Sequence, residues 1–184
     1  MKTARWRSHC SPAWPLSARD WLRTEGSLTV RLQRGLGQFK VAVDYQGLAD
    51  ALVDEHRVLH LAQARHVRTR NVVLWAGGSP QVVAHSVVRW LGAQSDWPFW
   101  RQLGTRSLGT VLFRDHRVRR LFMQYARLPA QHPLTQAANA GRSPRPLYAR
   151  RAVYVRGQSR TPLLVTEVFL HAMPGVQSPA SGKN

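Results

Sequence analysis

Cysteine is nearly missing from this 184-residue chain, and lysine and acid are both scarce. With Cys10 as the only cysteine there is no disulfide framework and no cysteine-rich zinc site, which suits a reducing compartment. No apolar run is long enough to cross a bilayer, and the positively charged N-terminal stretch has no apolar segment of signal-peptide length. These absences predict a soluble, cytoplasmic protein. The common signatures are missing too: no GxGxxG followed by an acid, no GxxxxGK, no HExxH and no GxSxG. That argues against nucleotide and redox chemistry. His56 and His60 stand at metal-ligand spacing on a helix, but no third ligand has a claim, and Cys10 has no catalytic partner. No metal and no cofactor is expected.

What is abundant is arginine. Only Lys2, Lys40 and Lys183 are lysines, so 24 of the 27 basic residues are arginine, and with nine acids the net charge is +18. Such a charge favours polyanions or acidic small molecules as partners, yet the arginines are scattered rather than gathered in one tract. After Asp115 the only acid is Glu167, inside "PLLVTEVFL" at 162–170. It shares the odd-numbered face with Leu163, Val165 and Phe169, and a carboxylate on an apolar face is costly unless something pairs with it or uses it.

The length fits one domain, expected over 17–173, with a loose N-terminal arm at 1–16 and a disordered tail at 174–184. Ser17 and Asp20 resemble a capping box ahead of a first helix, and Ser27 is positioned to cap a second, "LTVRLQR", ended by Gly35. "FKVAVDYQG" alternates as a strand, and "LADALVDEHRVLHLAQA" has helical spacing. "VRTRNVVLW" and "QVVAHSVV" around a Gly-Gly turn read as a hairpin, as do "YARRAVYVR" and "TPLLVTEVFL" around "GQSR". Between them come a short helix "SLGTVLF" capped by Ser107 and a strand "VRRLFMQYARL". The stretch 129–146, rich in Pro, Ala, Gly and Ser, reads as a long loop of the kind that forms lids. Hairpins with segregated helices predict an α+β fold, a central antiparallel sheet with helices packed to one side.

Arg68 and Arg70 share a strand face with Val72 and Leu74, a setting like that of Glu167. A guanidinium donates two parallel hydrogen bonds to a planar carboxylate. Two readings follow from patterning: Arg70 and Glu167 form a buried structural ion pair, or both face a pocket and hold opposite ends of an anionic ligand.

Four segments bear on the choice: "DWLRTEGSLTVRL" at 20–32, "RNVVLWAGGSPQVVAHSVV" at 70–88, "LGTRSLGTVLF" at 103–113 and "LYARRAVYVRGQSRTPLLVTEVFL" at 147–170. Together and in this order they resemble the chorismate pyruvate-lyase family, which removes pyruvate from chorismate to give 4-hydroxybenzoate for ubiquinone synthesis. The resemblance implies a monomer with an internal site under flap loops, no cofactor, and chorismate and 4-hydroxybenzoate as its ligands. It places the arginine that binds the ring carboxylate at Arg70 and a glutamate near the 4-oxygen at Glu167, and it places two ligand-binding backbone amides at Leu28 and Leu108. Each of these two residues follows a serine that opens a short helix, where free N–H groups favour an anion. A closed site matched to both ends of an aromatic acid should hold 4-hydroxybenzoate well, so product inhibition is expected. Where the family has a proline after "AHSVV", this chain has Arg89-Trp90.

Two other classes compete. One is a ligand-sensing domain of the related transcription regulators, but too few residues precede the first helix for a DNA-binding domain. The other is a nucleic-acid-binding protein, against which stands the absence of a basic tract with interleaved aromatics. No specific nucleic-acid partner and no membrane insertion are expected.

Overall fold

Gly77 and Gly78 adopt φ of 58° and 77°, the left-handed pair that a tight two-residue hairpin turn requires. They join β2 (His66–Ala76) to β3 (Ser79–Arg89). In the computed structural model, which describes residues 4–61, 66–89, 97–158 and 161–171, this hairpin is one half of a six-stranded sheet. β1 (Phe39–Asp50) lies outside β2, while β4 (Val118–Leu128), β5 (Leu147–Arg156) and β6 (Leu163–Phe169) complete the order β1-β2-β3-β6-β5-β4. Every neighbouring pair is antiparallel. β6 returns to the centre between β3 and β5, so most of its side chains are buried, on both faces. That is why "LLVTEVF" reads as a nearly unbroken apolar run instead of alternating.

On one face Val72, Leu74, Val82, Ala84 and Phe169 pack against Trp21 and Leu22 of α1 (Leu16–Leu22) and Leu28 and Leu32 of α2 (Leu28–Leu36). Further along the same face, Val88, Tyr154 and Leu163 meet Leu108 and Leu112 of α3 (Leu108–Leu112) and Trp100 of the 3₁₀ turn Pro98–Gln102. The reverse face is also covered. Val87, Val153 and Leu164 pack on Leu59 and Leu61, and Ala149 and Val168 pack on Leu134 and Ala138 of α4 (Pro133–Ala138). The α+β architecture read from the sequence is therefore present, with α1, α2 and α3 on one side and α4 opposite them.

Several local expectations are corrected. Ser17 caps nothing: Pro15 is the N-cap of α1 and no side chain caps it. Ser27 does cap α2, accepting from the Val30 amide, but the helix runs past Gly35 and stops at Gly37, whose φ is 77°. Ser107 is the N-cap of α3 without a side-chain cap bond, because its hydroxyl is engaged with Thr29 at 2.6 Å. The helix expected from Leu48 does not form. Residues 48–50 extend β1 and 51–60 run in turns, with His60 at a φ of 52° that no α-helix accommodates. Residues 62–65, Trp90 and the tail at 174–184 lie outside the described residues. The stretch 129–146 carries α4 and is packed on the reverse face of the sheet, so it is not a lid.

The arm is also anchored where it is described. Arg7 pairs with Tyr125 at the β4 edge through two backbone hydrogen bonds, Cys10 is buried, and Trp6 Nε1 donates to Asp54 Oδ2 at 2.6 Å. Asp54 is the hub of a reverse-face polar cluster. Arg151, buried, donates from Nη1 to the Asp54 carbonyl at 3.0 Å and from Nε to Gln124 at 2.9 Å, and its guanidinium stacks on Trp6. His132 Nε2 lies 3.5 Å from the Asp54 carboxylate. Burial pulls the Asp54 carboxyl upward, but hydrogen bonds from His132 and Trp6 and the charges of His132 and Arg151 outweigh it and hold the group below the ordinary aspartate range. Burial pushes Arg151 down to about 10, against the pull of Asp54 and Glu55.

A folded-state carboxyl held low stabilises the fold above the unfolded value, and that contribution is lost as pH falls through the folded value. Asp54→Ala is accordingly expected to cost about 2–3 kcal/mol near neutral pH by leaving a buried guanidinium without its carboxylate. Urea unfolding at pH 7 and again below pH 4 checks this, with the gap between wild type and variant narrowing in acid.

Candidate active site

Strand alternation puts Arg70, Val72 and Leu74 of β2, Ala84 and Ser86 of β3, Val165 and Glu167 of β6, and Arg150 and Tyr154 of β5 on the face beneath α2 and α3. A part-enclosed cavity lies there. Its floor is the sheet, and its rim is formed by residues 26–29 and 107–113 at the starts of α2 and α3. The rim segments are tied together by the Thr29–Ser107 hydrogen bond. Gly109 faces the two serine hydroxyls of the caps, where an added Cβ would come to 3.7 Å from each. All four residues singled out by sequence, Leu28, Arg70, Leu108 and Glu167, line this one cavity.

Arg70 is 1% exposed. Its Nη2 donates to the carbonyls of Gly104 (2.8 Å) and Arg106 (3.2 Å), while its Nε is buried without a hydrogen-bond partner. Among the described residues no carboxylate pairs with it, and burial alone lowers its pKa from the usual arginine value. A guanidinium out of water with unused donors and no counter-ion is an expensive arrangement for a purely structural residue. The reading in which Arg70 and Glu167 clasp each other is therefore set aside.

Glu167 has a different partner. Across the β5–β6 ladder it stands opposite Arg150, whose Nε donates to Glu167 Oε2 at 2.5 Å. Arg150 is 3% exposed, and its Nη1 also donates to the carbonyls of Leu22 (3.2 Å) and Thr24 (2.9 Å) at the end of α1. The expectation that a ligand alone accounts for Glu167 is thus corrected, although its side chain keeps 18% exposure toward the cavity. Beside it, burial pushes the Tyr154 hydroxyl up and the Glu167 charge adds to the effect, keeping the phenol neutral.

Sequence reasoning missed Arg150 and Tyr154, yet Arg150 was within reach. Pairing outward from the turn at 157–160 sets residue 150 opposite 167, and the observed register is the same. Arg70 and Glu167 sit two strands apart and two residues offset, which at ~4.8 Å between strands and ~3.4 Å per residue separates their Cα atoms by roughly 12 Å. The cavity thus presents an unpaired guanidinium at one end and a carboxylate already paired with arginine at the other. It suits a small, flat, anionic molecule with a hydroxyl far from its acid group.

The chorismate lyase family model matches residues 1–177. A probable chorismate pyruvate-lyase of Cupriavidus metallidurans is 43% identical over 173 residues, covering 91% of this chain and 80% of its own. That of Thiobacillus denitrificans is 41% identical over 170 residues, covering 91% and 89%. Among solved structures, the effector domain of PhnF from Mycobacterium smegmatis superposes with a TM-score of 0.53 at 18% identity, over 78% of this chain and 88% of that one. A GntR-family transcriptional regulator from Bacillus cereus gives 0.54 at 8% identity, over 78% and 99%. At such identities these two share the fold and nothing more.

Proposed function

The chain belongs to the chorismate lyase family, and from that membership we propose how its cavity removes pyruvate from chorismate. Chorismate carries one carboxylate on the ring, a second on an enolpyruvyl ether at ring C3, and a hydroxyl at C4. The C3–O bond breaks with its electron pair going to oxygen, and C4 loses its hydrogen as a proton. The ring becomes the aromatic 4-hydroxybenzoate, and the enolpyruvate released takes a proton on its methylene carbon to become pyruvate. The atoms of the two products are those of chorismate, so no cofactor or co-reactant enters the scheme.

The observation that carries the proposal is the buried Arg70 facing the cavity, its Nε unsatisfied and no carboxylate paired with it among the described residues. In this reading its free donors hold the ring carboxylate, and the amides of Leu28 and Leu108 at the rim add to the binding of negative charge. The carboxylate of Glu167 accepts from the C4 hydroxyl. As the C3–O bond lengthens, positive charge builds on C3 beside C4, and a preorganised carboxylate at the C4 hydroxyl is worth more in the transition state than in the ground state. Binding both ends fixes the ring and leaves the solvent little to reorganise.

The direct test is incubation of the purified protein with chorismate and no additive: 4-hydroxybenzoate and pyruvate should accumulate in equal amounts, and no turnover would refute the assignment. A site matched to both ends of the aromatic product should also retain it. We expect progress curves to bend before substrate is exhausted, with added 4-hydroxybenzoate competing against chorismate; linear curves at high product would count against a closed, product-shaped site. The proposal further assigns the protein to the cytoplasm as a monomer feeding ubiquinone synthesis. Because regulator effector domains share the fold, binding of 4-hydroxybenzoate without any turnover is the outcome that would favour a sensor over an enzyme.

A further inference from the structure

Arg150 belongs to no binding role assigned above, yet it is the best-connected charge in the cavity. Its guanidinium is divided between two tasks. Nε meets Glu167 Oε2 at 2.5 Å, and Nη1 reaches the carbonyls of Leu22 and Thr24, where α1 ends and the chain turns toward Gly26 and Leu28 on the cavity rim. A helix end leaves its last carbonyls without donors, so a cation there is held firmly as well as holding. The strand beneath adds a second constraint, because Arg150 and Glu167 are directly opposed in the ladder.

We propose that Arg150 is a positioning residue: by fixing Glu167 Oε2 from one side it leaves Oε1 as the oxygen presented to the ligand's 4-hydroxyl, and by holding the end of α1 it sets the rim at the distance that hydroxyl requires. This rests on the reading of Glu167 as the group that meets the 4-oxygen. A glutamate side chain free to rotate would present its oxygens at many angles, and the discrimination in favour of a hydroxyl at that position would fall. Arg70 and its carboxylate subsite, on β2, would be unaffected.

The test compares two probes, 4-hydroxybenzoate and benzoate, which differ only in the hydroxyl, measured by calorimetry on wild type, Arg150→Met and Glu167→Gln. Arg150→Met is expected to keep benzoate affinity and to lose about tenfold of the preference for 4-hydroxybenzoate, the scale of one charge-assisted hydrogen bond, with kcat falling more than KM rises. Equal weakening of both probes would reduce Arg150 to a structural role, and an unchanged preference in the folded variant would overturn the proposal. If Glu167→Gln keeps the full preference, the underlying reading of Glu167 fails. If Glu167→Gln loses it while Arg150→Met retains it, only the role of Arg150 fails. Wild-type protein supplies a measurement independent of variant folding. The Arg150 Nε–H resonance should move when 4-hydroxybenzoate is added and stay in place with benzoate, and an identical response to both would refute the proposal.

Discussion

Arg70→Met should lower kcat/KM by roughly a thousandfold or more without lowering the unfolding midpoint. The two halves of that expectation come from one fact: the guanidinium is buried, carries no carboxylate partner among the described residues and leaves Nε unsatisfied. Removing it releases the carbonyls of Gly104 and Arg106 from their donor, a cost of about 1 kcal/mol each. It also removes an uncompensated buried charge, whose penalty is several kcal/mol. The net effect on the ligand-free fold is expected to be neutral or favourable. With ligand the order reverses, since 4-hydroxybenzoate should raise the wild-type midpoint by mass action and leave that of the variant where it was. Arg70→Ala should lose turnover and binding in the same way, with an added packing cost. A fold held together by Arg70 would behave oppositely, losing stability along with activity.

The second large effect is at Glu167. Glu167→Gln keeps the shape and an oxygen for the Arg150 Nε–H, and the Arg150 bonds to Leu22 and Thr24 remain. The fold is therefore expected to lose only about 1–2 kcal/mol. Turnover should fall roughly 10²- to 10³-fold, because a neutral amide beside C4 offers far less to an electron-poor ring than a carboxylate does. Single-turnover rates and urea titrations on the same preparation separate the two. Comparable turnover in the variant would remove Glu167 from the chemistry.

How much of this was open to sequence reading varies by element. The strands were legible because their patterns are local: the Gly-Gly turn fixes one hairpin, and the apolar β6 announces a strand buried on both faces. The site was half legible. Glu167 stood out as the lone acid after Asp115, and Arg70 as a cation on an apolar face, whereas Arg150 lay hidden beside Arg151 although the two point to opposite faces of the same strand. The failures are cases in which tertiary demand overrode propensity. Residues 51–60 have helical spacing, but Asp54 and Glu55 are drawn to the sheet, Asp54 toward Arg151 and Glu55 to His85, which donates from Nε2 at 2.8 Å. The chain turns to deliver those acids instead of coiling. In 129–146, composition suggested a loop, while Leu134 and Ala138 fill the reverse-face core beside Val168. Nothing in a window of that length reveals which distant strand needs covering.

The central claim, that an unpaired guanidinium on β2 and an arginine-held carboxylate on β6 bind opposite ends of one aromatic acid, is tested most directly by a crystal structure with 4-hydroxybenzoate bound. The account predicts the ring carboxylate on Arg70, with the Leu28 and Leu108 amides in reach, and the 4-oxygen against Glu167 while Arg150 still holds the far carboxylate oxygen. A product bound the other way round, or bound outside this cavity with Arg70 left empty, would contradict it.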